Sequence, residues 1–267
     1  MSEHKPSGRV NRNKYINPEG FLFLLVFFLS ITDLFGQDLI TDRPDQTESA
    51  VTIPQKSLQV ETGFLYETFN ENNLSVDYYS IAGTLVRYGL FERIELRLGA
   101  AYLVNKTNEF TDEGFGDLMA GAKINFLNEE ENNIDFGLII HSSLPVGDEA
   151  FKPQTTEPGI IAAFSKSLSE RFSTAFNFGG SQNSSIEEII YLYTAAAGYS
   201  FTDKLGAFLE AYGNFSKAFQ PVYLGDAGLT YLVSDFVQLD ISGGRKFSGT
   251  DSFWFVGTGI SFRINNL

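Results

Sequence analysis

Cysteine is absent from all 267 residues, which excludes a disulfide-stapled secreted domain and any cysteine-ligated zinc site. Histidine is nearly absent. Of the two present, His4 falls in an N-terminal leader and His141 stands alone in the rest of the chain, so a histidine-rich metal centre is excluded and neither metal nor cofactor is expected. Bases are scarce, 19 against 33 acids for a net charge of −14, so the chain lacks the cationic footprint of a nucleic-acid binder. No long hydrophobic run exists: the longest, Phe21 to Leu29, has nine residues, where a spanning helix needs roughly 20. A mean hydropathy of −0.06 is also too polar for a bundle of membrane helices. Phosphate loops are excluded because the glycines sit at period two with no helix behind them. What is plentiful is aromatic and small: 26 Phe, 12 Tyr and 25 Gly, beside one Trp and two Met.

The first 36 residues differ from the rest. Lys5, Arg9, Arg12 and Lys14 form a cationic leader, the nine-residue apolar run follows, and a mixed stretch ends in Gly36. That order predicts a cleaved secretory signal peptide over 1–36. An N-terminal anchor is the competing reading, and Asp33 interrupts the run too soon for it. Cleavage would remove four bases and three acids, leaving 231 residues with 15 bases and 30 acids. Residues 37–56 are too polar and proline-broken for a strand and are expected as a periplasmic N-terminal segment, with a barrel over 57–267.

Alternation of period two recurs after residue 57. In the last segment Trp254, Val256, Thr258, Ile260, Phe262 and Ile264 share one face, with Phe255, Gly257, Gly259, Ser261 and Arg263 on the other. Ile94, Leu96, Leu98 and Ala100 likewise oppose Arg93, Glu95, Arg97 and Gly99. Acids at 92, 130, 170, 203 and 235 mark short turns spaced 38, 40, 33 and 32 residues apart, the period of one hairpin with its two connections. The opposite connections, such as 105–113, 145–157 and 180–187, are mostly longer and polar. Twelve antiparallel strands follow, the first at 57–69 and the last at 252–264, with short turns at one end and long loops at the other, as in an outer-membrane barrel.

A soluble β-sandwich also alternates, but its outer face carries polar side chains to meet water. Here the continuous apolar face carries aromatics near both strand ends: Tyr78 with Tyr88, Tyr191 with Tyr199, Tyr223 with Tyr231, and Trp254 with Phe262. Two interfacial girdles require that arrangement. The reading is an all-β transmembrane antiparallel barrel of about 12 strands in the outer membrane of a Gram-negative bacterium, in contact with outer-membrane lipid.

Three stretches carry a family resemblance. Thr41-Asp42-Arg43-Pro44-Asp45-Gln46-Thr47-Glu48-Ser49, then Arg87-Tyr88-Gly89-Leu90-Phe91-Glu92-Arg93-Ile94-Glu95-Leu96-Arg97, then Gly114-Phe115-Gly116-Asp117-Leu118 leading to Gly121 and Lys123, occur in this order. Together they resemble the outer-membrane proteins named for a meta-pathway of phenol degradation and often labelled transporters. The resemblance implies a barrel that passes small, often hydrophobic or aromatic, compounds.

On the polar, inward face the alternation places Glu61, Arg87, Glu95, Arg97, Lys123, Asp135, His141, Glu210 and Asp240 as lumen-lining candidates, together with Glu67, Asp77, Asp117, Asp226 and Arg263. An Arg or Lys facing lipid at mid-depth costs about 2–4 kcal/mol, so segregation of charge to one face supports the register. Facing charges can pair and fill the lumen, or line a narrow path; twelve strands lie between the filled eight-stranded barrel and the open porin. The inward glycines Gly83, Gly99, Gly121, Gly137, Gly206, Gly228, Gly257 and Gly259 relieve crowding or leave space for a ligand. The segment 37–56 is a tether, or a plug that sets Asp42, Arg43, Asp45 and Glu48 against the wall charges.

Enzymatic chemistry finds little support. His141 and Ser142 point to opposite faces, and Ser143 lies roughly 7 Å along the strand, so no nucleophile–base pair forms among them. The expected function is passive conduction or uptake of small molecules by a monomer, with no enzyme activity. The alternatives are a structural or adhesive barrel with a sealed lumen, and a phospholipase with a hydroxyl from an adjacent strand beside His141.

Overall fold

The structure, a computed structural model, describes residues 39–71, 74–249 and 251–267; the signal peptide expected over 1–36 lies outside the described residues. The alternating segments form thirteen strands: β1 (Leu58–Glu71), β2 (Leu74–Phe91), β3 (Ile94–Thr107), β4 (Thr111–Phe115), β5 (Leu118–Leu127), β6 (Asp135–Leu144), β7 (Glu157–Ser167), β8 (Phe172–Asn183), β9 (Glu188–Ser200), β10 (Leu205–Phe215), β11 (Val222–Ser234), β12 (Val237–Lys246) and β13 (Ser252–Ile264). Each pairs antiparallel with its neighbours. β1 joins β13 in a full ladder from Leu58↔Ile264 to Asn70↔Ser252, and this pairing closes the sheet. β4 and β5 lie end to end along β3, so the wall is a closed twelve-stranded barrel. Closure leaves no unpaired sheet edge, the condition for placing strands in lipid.

The face assignments follow the residues. Leu96, Leu98, Phe176, Phe178, Leu209, Leu229, Ile241 and Val256 are exposed on the outer wall, while their neighbours Glu95, Arg97, Asn177, Glu210 and Asp240 are buried inside. This continuous apolar belt makes the barrel a transmembrane one of the outer-membrane type. Tyr191, Tyr199, Tyr223, Tyr231 and Trp254 are exposed on the same outer face, at the girdle positions of their strands. At the short-turn end, Glu129–Asn132 forms one helical turn, capped by Asn128 Oδ1, which accepts the Glu131 N–H at 2.9 Å.

Two expectations are corrected. The stretch 105–113 is not a free loop: β3 and β4 extend through it as a paired hairpin, Asn105↔Asp112 among its pairs. More consequentially, strict alternation fails along β2. The register shifts between Gly63 and Leu65 against β1 and between Ile81 and Thr84 against β3, with Ala82 at φ 51°. A bulge inserts an extra residue and inverts the alternation beyond it. Tyr78 therefore faces inward opposite Glu67, and Asp77 faces outward, where its carboxylate accepts the Tyr66 hydroxyl at 2.9 Å. The girdle aromatics there are Tyr66 and Tyr79 instead, 5.1 Å apart, with Trp254 5.3 Å from Tyr66.

Candidate functional site

Residues 39–56 contain no strand and run through the half of the barrel interior nearest the short turns. A strandless backbone inside a protein must find hydrogen-bond partners, and wall side chains supply them. Glu61 accepts the Asp42 N–H at 2.9 Å and Glu95 accepts the Ile53 N–H at 2.9 Å. Asn177 both accepts from the Glu48 N–H at 2.7 Å and donates to the Glu48 carbonyl at 3.0 Å. Asn125 donates to the Ala50 carbonyl at 3.0 Å, and Gln59 to that of Ile40 at 2.8 Å. Glu210 accepts the Gln46 N–H at 2.8 Å and the Thr47 hydroxyl, while Thr47 and Thr194 share a hydrogen bond of 2.7 Å.

Charge concentrates around Asp42. Its carboxylate meets Arg97 at 2.6 Å, Lys123 at 3.0 Å and Arg87 at 3.3 Å. Arg87 is held in turn by both oxygens of Glu95 at 2.9 Å and by Glu61 at 2.9 Å, and Arg97 takes Glu48 at 2.5 Å. Burial disfavours ionised Asp42, but Arg87, Lys123 and Arg97 outweigh it and hold this carboxyl well below the ordinary range. Buried ion pairs contribute little net stability because desolvation opposes them, yet breaking one is costly. The cluster therefore serves mainly to fix the position of the segment. Higher up, Arg43 reaches Asp240 at 3.0 Å.

Glycines make room for these contacts. A Cβ on Gly259 would lie 2.4 Å from the Arg43 guanidinium, and one on Gly137 would lie 2.5 Å from the Ala50 carbonyl oxygen. Beside the latter, Ala50 packs into a small apolar core with Ile139, Ile161 and Ala163.

The remaining candidates lie elsewhere. Asp135 accepts the Glu129 N–H at 3.0 Å at the helical turn. His141 packs inward over Gly159, whose Cβ would meet its Nε2 at 2.4 Å. In the half of the barrel beyond the segment, Tyr78, Ser80, Leu103, Asp117 and Met119 line a cavity of about 290 Å³. The neutral partners Gln59, Asn125, Asn177 and Thr194, and Gln238, which donates to the Thr41 hydroxyl at 3.0 Å, were not singled out from the sequence. Their only signal is a polar side chain at an inward position of an alternating strand.

The profile of the family described as "Putative MetA-pathway of phenol degradation" matches residues 41–264. The chain belongs to this family. The matched span of this phenol-degradation family protein begins at Thr41, so it includes the interior segment as well as the wall. Among solved structures, an outer-membrane channel from Pseudomonas putida F1 is similar, with a TM-score of 0.63 and 13% identity over 80% of this chain and 98% of that one; the likeness shows a common fold. The NanC porin has a TM-score of 0.49 with 10% identity, covering 78% of this chain and 100% of its own. For the KdgM porin in complex with oligogalacturonate the values are 0.49, 12%, 76% and 98%. No curated protein matches the chain.

Proposed function

We propose that this barrel is a passive outer-membrane channel for small molecules, acting as a monomer without enzymatic activity or cofactor, and that residues 39–56 constrict its periplasmic half. The observation that carries this reading is the manner of attachment. Apart from Lys56, whose main chain pairs with Gly89 and Leu267 where the segment joins the wall, the segment is bound by side-chain contacts and adds no strand, so residues 39–55 can shift or leave without breaking the closed ladder. Beyond it the lumen holds a cavity of about 290 Å³ with both polar and apolar lining, the mixture suited to a small solute. The family description points to aromatic compounds.

A sealed structural or adhesive barrel is the second reading, favoured by the density of the Asp42 cluster. Liposome swelling with the purified protein separates the two when the chain is compared with a form lacking residues 38–54. Flux through the intact chain that rises on deletion supports a constricted channel. No flux through the intact chain supports the sealed barrel.

A further inference from the structure

We propose that Asp45, Glu210 and Asp226 form a binding site, midway along the lumen, for the ammonium group of a small organic cation, with Phe255 and Tyr212 as its aromatic walls. Glu210 and Asp226 are direct cross-strand partners on the inner face of β10 and β11, a placement in which like charges repel. Asp226 is only 5% exposed, no N–H or O–H among the described residues donates to its carboxylate, and the group it touches is the Glu210 carboxyl, with which it shares a hydrogen bond when one of the two holds a proton. Asp45, from the interior segment, interacts with both. Among the described residues no Lys or Arg counters Asp226, and Arg43 of the same segment is engaged by Asp240 at 3.0 Å.

Glu210 and Asp226 therefore face each other, with Asp45 near enough to interact with both, and no cation among the described residues is paired with Asp226. One shared proton would leave two of them charged, and a buried unpaired carboxylate is strongly disfavoured. No group among the described residues has the arrangement of a metal cage, whereas an ammonium ion is held by one or two carboxylates through its own N–H donors. The aromatic surroundings select the same chemistry. A Cβ on Gly244 would lie 2.5 Å from both the Asp226 Cβ and the Phe255 ring, which puts the ring edge within about 5 Å of that Cβ, and Tyr212 lies within electrostatic reach of Asp226 and Glu210. Carboxylates with aromatic rings close by are a setting in which organic cations bind. The ligand's access rests on the channel reading; the site itself does not.

The test is calorimetric titration of the full chain in detergent with ethylammonium chloride, with sodium and calcium chloride at matched ionic strength. The expected result is saturable ethylammonium binding, at least tenfold weaker in Asp226→Asn and in Gly244→Ala, whose methyl closes the site without removing charge. Asp77→Asn, on the outer wall, leaves it unchanged. Absence of ethylammonium binding, equal affinity in all variants, or preference for calcium would each overturn the proposal. Because binding is read without flux, intact binding in a non-conducting barrel sinks the channel reading alone, and conduction without binding sinks this site alone.

Discussion

Asp42 is the position where one small change tests most of the interior. Asp42→Asn keeps the side chain's size and removes its charge. Lys123, fully buried, then loses a carboxylate at 3.0 Å and retains only Glu95 at 3.8 Å, while Arg97 keeps Glu48 and Glu95, and Arg87 keeps Glu61 and Glu95. The loss is therefore local to Lys123. Removing one partner of a buried pair costs about 3–5 kcal/mol. Three buried cations would still face three acids, which argues for the lower end, about 3 kcal/mol, or roughly a hundredfold shift toward the undocked segment. Two measurements follow. Planar-bilayer conductance should rise in Asp42→Asn. In addition, because the chain has no cysteine, a Thr47→Cys, Thr194→Cys pair placed at the 2.7 Å hydroxyl contact should form a disulfide that lowers conductance until it is reduced, and Asp42→Asn should slow its formation. Wild-type conductance and unchanged cross-linking in Asp42→Asn would refute the assignment of Asp42 as the anchor.

Other perturbations give separate tests. Gly259→Ala sets a methyl against the Arg43 guanidinium and should raise conductance while leaving the β-sheet circular-dichroism signal of the folded barrel intact. Leu209→Arg, on the lipid face at a residue 67% exposed, should destabilise folding into vesicles by about 2–4 kcal/mol, measured by denaturant titration. Burial, with Glu210 and Asp226 nearby, holds the Asp45 carboxyl well above the ordinary range. Its ionised form therefore opposes docking at neutral pH, and that penalty fades as pH falls through the raised value. Conductance should accordingly decrease on mild acidification, with a weaker pH dependence in Asp45→Asn. Asp42 does not reverse this trend, because its contribution is lost only well below its ordinary value of 3.8.

Strand number, faces and the girdles at Tyr191, Tyr223 and Trp254 were legible because lipid outside and polar side chains inside impose one rule on every wall residue. The rule failed where backbone geometry overrode it. Nothing in Ser80-Ile81-Ala82-Gly83 announces a bulge, so the inversion of Asp77 and Tyr78 needed the pairing itself. The charged positions Glu61, Arg87, Glu95, Arg97 and Lys123 were legible as inward, and a plug alternative set Asp42, Arg43, Asp45 and Glu48 against them as a group, but which charge meets which was not legible. Alternation reports which way a side chain points and carries no information about which segment meets it. Asn125 and Asn177 were less visible still, since a neutral amide on an inner face carries no mark that it serves a strandless backbone.

The wall charges explain why an acidic segment suits this interior. Around Asp42 the wall alone presents Arg87, Arg97 and Lys123 against Glu61 and Glu95, an excess of one positive charge, and the segment brings Asp42 and Glu48 to it. At Asp240 the wall is negative, and the segment brings Arg43. Complementarity of this kind specifies position more than it adds stability, as a part that must dock reproducibly and still detach requires. At one level the match reverses. Where the wall presents Glu210 and Asp226, the segment presents Asp45. A segment selected only to seal the lumen would place a base or a neutral residue there. A third acid at that level instead leaves a negative site facing the path, so docking of the segment and occupancy by a cation become coupled: each binds more tightly when the other is present, by the same factor in both directions.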